Sequence, residues 1–311
     1  MAEKDLTIGW IGAGRMGIQL ATRLIQAGYD LAIYNRTKSK LQPLVEMGAR
    51  AVDSPVELAD RDLVFSMVSA SKDLKQVMLG DGGLLTGSVA PKVIADSSTV
   101  SIEASAEIRQ AAADKGAEFL ATPVSGNPAV IAAGKLTVAV SGPRKVYEET
   151  LPVLEVFGRG VTYVGEGEVA RLVKIAHNVF LGVVTQSLAE ITVLAEKGGV
   201  TREAFLNFLN DSVMGSVFTQ YKTPAFVNLD FTPTFTMPLL LKDFDLGLTA
   251  SSNLGVPMPI ASATRQIVAQ ESGKGNVEED FATLLLTVAS GAGMELKSEN
   301  APVTDGLGTG D

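Results

Sequence analysis

The chain has 311 residues, 46% hydrophobic and 20% charged, the make-up of a soluble globular protein with length for two sizeable cores. A formal charge of -9 argues against nucleic acid and anionic membrane as partners, since both require a basic face. With no cysteine and one histidine, disulfides, thiol nucleophiles, cysteine-ligated metals and His-rich metal sites are all excluded. No metal is expected. The first residues show no charged-then-apolar leader, which gives the expectation of a cytoplasmic protein.

A short apolar strand over residues 6–11 runs directly into Gly12-Ala13-Gly14-Arg15-Met16-Gly17. A helical pattern over 18–26 stops at Gly28, and a second strand covers 31–34. Strand, glycine turn, helix and strand within about 30 residues is the context in which G-x-G-x-x-G signals dinucleotide binding. Gly12 permits the tight turn, Gly14 lets backbone approach a pyrophosphate, and Gly17 allows close helix–strand packing. Arg15 and Met16 complete the turn, and the pyrophosphate would rest on the helix N-terminus. The second strand ends in Asn35-Arg36-Thr37, with no carboxylate for an adenosine ribose 2′-hydroxyl. Arg36 and Thr37 suit a 2′-phosphate instead, which predicts NADP rather than NAD.

The βα rhythm continues. Strands are expected over 63–68, 93–95, 118–120, 136–141 and 163–164, and helices over 101–115 and 145–157. Such alternation builds a mostly parallel sheet with helices on both faces. Ligands bind beyond the C-terminal strand ends, where Met67, Val68 and Thr99 fall.

Strand signals then cease. Residues 172–195 are apolar on nearly every side at helical spacing, predicting a long helix buried in a core. It is long enough to span a bilayer, but Lys174, His177, Asn178, Gln186 and Glu190 argue against that. Lys174, His177 and Asn178 share one face at i, i+3 and i+4. Lys174 is either an amine whose pKa is lowered by desolvation, or a lysine that snorkels or pairs with a carboxylate. Further helices are expected over 201–210, 239–253, 261–271 and 279–289, with a loop region holding Pro224, Pro233 and Pro238. The reading is a Rossmann α/β domain over 1–165, an all-α domain over 166–296 and a disordered tail over 297–311.

Assembled, these pieces resemble the β-hydroxyacid dehydrogenase family over roughly residues 6–293. The likeness rests on four motifs in the family's order. They are Gly12–Gly17; Thr122-Pro123-Val124-Ser125-Gly126 with Ala132-Ala133-Gly134-Lys135-Leu136; Gly165-x-Gly167 leading to Lys174 and Asn178; and Leu241-Lys242-Asp243-Phe244-Asp245-Leu246. The resemblance implies that Lys174 is the catalytic acid/base and that Thr99 and Lys242 touch the dinucleotide. It also implies that Ser125 and the backbone around Gly126 bind a carboxylate-bearing substrate. Asn178 would orient the reacting oxygen or Lys174 itself. The implied reaction interconverts a 3-hydroxyacid and its semialdehyde by hydride transfer.

The chain departs from the family at several positions. Ala121 stands in place of the usual Asp, Asn127 of a second glycine, Ser69 of a proline, and His177 of the usual Asn. Lys-x-x-His-Asn is similar to 6-phosphogluconate dehydrogenase, but that likeness is local. Asn127 and His177 therefore read as substrate-pocket residues that alter substrate choice, with a buried structural role open for His177. Two other readings compete: an imine reductase of the same architecture, against which Lys174 argues, and a nonenzymatic dinucleotide-binding protein. A dimer or tetramer is expected, because the apolar long helix needs cover.

Overall fold

The structure is a computed structural model and describes residues 6–308. It divides into two compact units, Met1–Lys174 and Ile175–Asp311. The division falls inside the long helix, nine residues beyond residue 165, where the strand signals end.

In the first unit the order is β1 (Thr7–Ile11), α1 (Arg15–Gln26), β2 (Asp30–Tyr34), α2 (Gln42–Glu46), β3 (Arg50–Ala51), β4 (Leu63–Ser66) and α3 (Ser71–Leu79). It continues with β5 (Val93–Asp96), α4 (Ile102–Asp114), β6 (Glu118–Ala121), β7 (Val124–Ser125), α5 (Pro128–Ala132), β8 (Thr137–Ser141), α6 (Arg144–Leu154) and β9 (Gly160–Gly165). The sheet runs β3-β2-β1-β4-β5-β6-β8-β7, with β9 on β8. Its first six strands are parallel, and β8 runs antiparallel to β6 and β7. That order is the doubly wound Rossmann arrangement, with its switch point between β1 and β4.

Period-two alternation fills a core on each face of the sheet. Ile8, Trp10, Leu31, Ile33, Leu63 and Phe65 pack on one side, and Ile11, Ala32, Val64 and Ile94 on the other. Trp10, Phe65 and Phe157 form an aromatic cluster with ring centroids 5.2 to 6.0 Å apart.

Helix α1 begins a turn earlier than the pattern over 18–26 suggests, because Gly17 is helical and its missing side chain is a packing requirement. A Cβ there would lie 2.1 Å from the Gly12 carbonyl oxygen. Helix α3 was not expected at all, although Leu74, Val77 and Met78 are spaced as one buried helical face.

The long helix α7 (Val169–Lys197) crosses the division. The second unit is all-helical, with α8 (Arg202–Asp211), α9 (Val217–Asn228), α10 (Met237–Leu254), α11 (Pro259–Gly273) and α12 (Leu284–Gly291). By length and composition α7 could cross a membrane, but half of its most apolar window is buried inside the protein. It is a core helix on part of its surface only, because Val173, Phe180, Ile191 and Leu194 are exposed.

Two expectations fail in this unit. Neither Pro224 nor Pro238 sits in a loop: Pro224 lies within α9 and Pro238 in the first turn of α10. A helical proline costs about 3 kcal/mol, and tertiary anchoring offsets it at Pro224. Lys222 next to it is buried in an ion pair with Asp280 (2.5 Å), and Phe226 is fully buried. The tail from Lys297 is not disordered over 297–308; residues 309–311 lie outside the described residues. Glu299 accepts the backbone N–H groups of Arg202 (2.7 Å) and Glu203 (2.9 Å), capping α8. Asn228 exchanges two hydrogen bonds with Ala301, and Leu296 and Val303 pack on the α8–α9 core. Its polar composition concealed these long-range contacts.

Candidate functional site

The C-terminal ends of β1, β2 and β4 open onto a cavity of about 200 Å³ lined by the glycine turn, Tyr34–Thr37, Lys40, Met67–Ser69 and residues of α3. Its shape is set where no side chain can stand. Gly12 has φ +106°, and a Cβ on it would come within 2.2 Å of the Met67 carbonyl oxygen. Gly14 differs: a Cβ there would meet nothing within 4 Å. No protein packing requires Gly14 to be bare, so the space above it suits a close-approaching ligand. Gly14 is also the N-cap of α1, with no side-chain cap and no acidic residue in the first turn. A helix N-terminus kept clear of carboxylates favours an anion by dipole and N–H donation. These residues fit a dinucleotide pyrophosphate. Arg15 on this first turn is exposed and Met16 half-buried.

Asn35, expected to face the dinucleotide, spends both groups of its side chain on backbone. Its oxygen accepts from Ala13 N–H (2.9 Å) and its amide donates to the Thr37 carbonyl (2.8 Å). It ties the glycine turn to the loop that follows β2. Arg36 is 88% exposed in its side chain and stands 3.7 Å from Asp73, a weak contact that a stronger anion can displace. Thr37 and Lys40 line the same end, and Lys40 was missed from the sequence because it lies one short turn beyond the recognised tripeptide.

At the next strand ends Val68 N–H donates to Ser98 Oγ (2.9 Å), and Thr99 is half-buried. Ser125, half-buried, and Gly126, exposed, follow β7. Asn127 is not the open pocket side chain expected: it is 5% exposed, and its oxygen caps α5 by accepting from Val130 N–H (2.9 Å). Its amide nitrogen is buried without a hydrogen-bond partner.

On α7, Lys174 is half-buried and His177 is exposed. The buried-histidine alternative does not hold, although His177 Nδ1 lies 3.0 Å from Asn178 Oδ1. Asn178, 4% exposed, donates from Nδ2 to Asp243, which is 1% exposed and 3.3 Å from Lys242 Nζ. Close helix packing lets Asp243 reach Asn178: a Cβ on Gly247 of α10 would lie 2.3 Å from Val179 of α7. Asp243 was missed as a partner of Asn178. The signal was present, because Leu240, Asp243, Phe244 and Gly247 share one buried face of α10. Among the described residues no cluster of three metal-ligating side chains occurs.

Residues 7–165 match the family model described as the NAD binding domain of 6-phosphogluconate dehydrogenase. Residues 165–288 match that described as the NAD-binding of NADP-dependent 3-hydroxyisobutyrate dehydrogenase. Glyoxylate/succinic semialdehyde reductase 2 of Arabidopsis thaliana is 31% identical over 90% of this chain and 78% of its own length. The 2-(hydroxymethyl)glutarate dehydrogenase of Eubacterium barkeri is 32% identical over 91% of this chain and 95% of its own. The crystal structure of a 3-hydroxyisobutyrate dehydrogenase from Salmonella typhimurium superposes with a TM-score of 0.81 at 24% identity, covering 91% of this chain and 100% of that one, and establishes the fold.

Proposed function

The chain belongs to the β-hydroxyacid dehydrogenase family, oxidoreductases that use a nicotinamide dinucleotide, and from that premise we propose an NADPH-dependent reductase of small semialdehydes. The reverse reaction oxidises the corresponding 3-hydroxyacid. The observation that carries the reading is the pairing of a bare-glycine anion cradle at Gly12–Gly17 with a half-buried Lys174 on α7, one helical turn before Asn178.

Gly14 and the first turn of α1, with Arg15 and Met16, hold the pyrophosphate. Met67, Val68 and Thr99 hold the rest of the dinucleotide, and Arg36, Thr37 and Lys40 hold the 2′-phosphate. The bound cofactor supplies the hydride. Lys174 donates a proton to the carbonyl oxygen as the carbonyl is reduced, and takes it back in the oxidative direction. Asn178, oriented by Asp243, holds that oxygen or Lys174 Nζ in line. Ser125 Oγ and the backbone at Gly126 bind the substrate carboxylate, and the buried Asn127 shapes that end of the pocket. His177, exposed beside Asn178, adds a second contact to the substrate's polar end.

The exposed apolar residues of α7, Phe180 and Leu194 foremost, support self-association as a dimer or tetramer. Sedimentation at micromolar concentration tests this, and a species at the monomer mass of 32.6 kDa would contradict it.

Arg36→Ala removes a charge-assisted contact worth about 1.5–3 kcal/mol. NADPH binding should weaken about 10- to 100-fold while NADH binding changes little; equal losses would remove the 2′-phosphate role. Lys174→Ala should lower turnover by about 10²–10⁴-fold with cofactor affinity retained. Near-normal turnover in that variant would exclude Lys174 from the chemistry.

A further inference from the structure

The turn leading into α7 is secured by one set of contacts. Arg109 donates to the Gly167 carbonyl (2.7 Å) and pairs with Glu168 (2.5 Å). Ser141 Oγ donates to the same carbonyl (2.8 Å) and accepts from Ala170 N–H (3.1 Å). A second and separate set centres on Arg171, which is 1% exposed. Its guanidinium donates in three directions: to Asp96 Oδ2 (2.6 Å), to the Ser98 carbonyl (2.7 Å) and to Ser105 Oγ (3.0 Å). The other oxygen of Asp96 accepts from Ser66 Oγ (2.6 Å) and Ser98 Oγ (2.7 Å), and Ser98 Oγ in turn accepts from Val68 N–H (2.9 Å). Asp96, Ser66, Ser98 and Ser105 are all buried.

We propose that this Asp96–Arg171 network is a positioning device for Lys174, fixing the rotation of α7 against the strand ends that wall the cofactor cavity. The inference rests on the reading of Lys174 as the acid/base. A rigid planar fork met by acceptors on β5, the loop after it and α4 is satisfied in one orientation, whereas apolar packing tolerates sliding and rotation. Lys174 lies at i+3 from Arg171, so the helix phase transmits that orientation to it directly. The same carboxylate, through Ser98, holds the Val68 amide at the cavity wall and the loop that carries Thr99. One buried anion thus references the acid/base and two proposed cofactor contacts to each other. Arg171 is a positioning residue and touches no reacting atom. Because Arg109 and Ser141 already anchor the entry to α7, its loss should displace Lys174 without unfolding the unit. A misplacement near 1 Å is enough to cost about a hundredfold in rate.

Two variants of the full chain keep every charge. Arg171→Lys loses the fork, and Ser105→Ala loses one acceptor. Lysines are reductively methylated with carbon-13, the Lys174 signal is identified by its disappearance in Lys174→Arg, and circular dichroism checks folding. The signal should move in Arg171→Lys, with its titration midpoint displaced by about half a pH unit or more, and move less in Ser105→Ala. Signals of the other native lysines should hold. An unmoved Lys174 signal in both folded variants would overturn the inference. Unfolding of both would also overturn it, by making the network a requirement of the fold alone. A moved signal together with full turnover in Lys174→Ala would leave the positioning intact and remove only the catalytic reading.

Discussion

In the first unit the glycine turn after β1 packs directly against the residues following β4, with no room for a side chain between them. No Cβ fits at Gly12 against the Met67 carbonyl, or at Gly17 against the Gly12 carbonyl, and the cavity exists because these backbones meet. Much else follows from that meeting. It brings the N-terminus of α1 to the sheet's switch point, where Gly14 alone is bare without being crowded. Asn35 then binds the turn to the loop bearing Arg36 and Thr37, so the two line the cavity as one connected piece. On the other side Val68 passes the constraint to Ser98, Asp96 and Arg171, and so to the start of α7.

Most of the first unit was legible because its signals are local. Alternating apolar strands and the glycine turn each carry their meaning within a few residues. What escaped was long-range. Glu299 reaches the N-terminus of α8 from the far end of the chain, and no composition rule shows that a polar tail will cap a helix. Pro224 reads as a breaker until the buried Lys222–Asp280 pair beside it is known. Arg171 sits in the same run as Lys174, yet its partner Asp96 lies on another strand, so only the fold joins them. The missed Asp243 is of another kind, since its place on the buried face of α10 was readable.

Two buried asparagines are each tied down by one firm hydrogen bond. Asn127 has its oxygen committed to capping α5 and its amide uncommitted, so it presents a donor and no acceptor. Asn178 is fixed in one orientation by Asp243, which leaves its oxygen facing His177.

The most direct test of the account follows NADPH and NADH oxidation at the nicotinamide absorbance against a small carbonyl panel. The panel holds glyoxylate, succinic semialdehyde, tartronate semialdehyde, methylmalonate semialdehyde and a cyclic imine. Turnover of at least one semialdehyde is expected, with NADPH preferred over NADH. Turnover of the imine alone, or no turnover of any carbonyl by protein that binds NADPH, would contradict it.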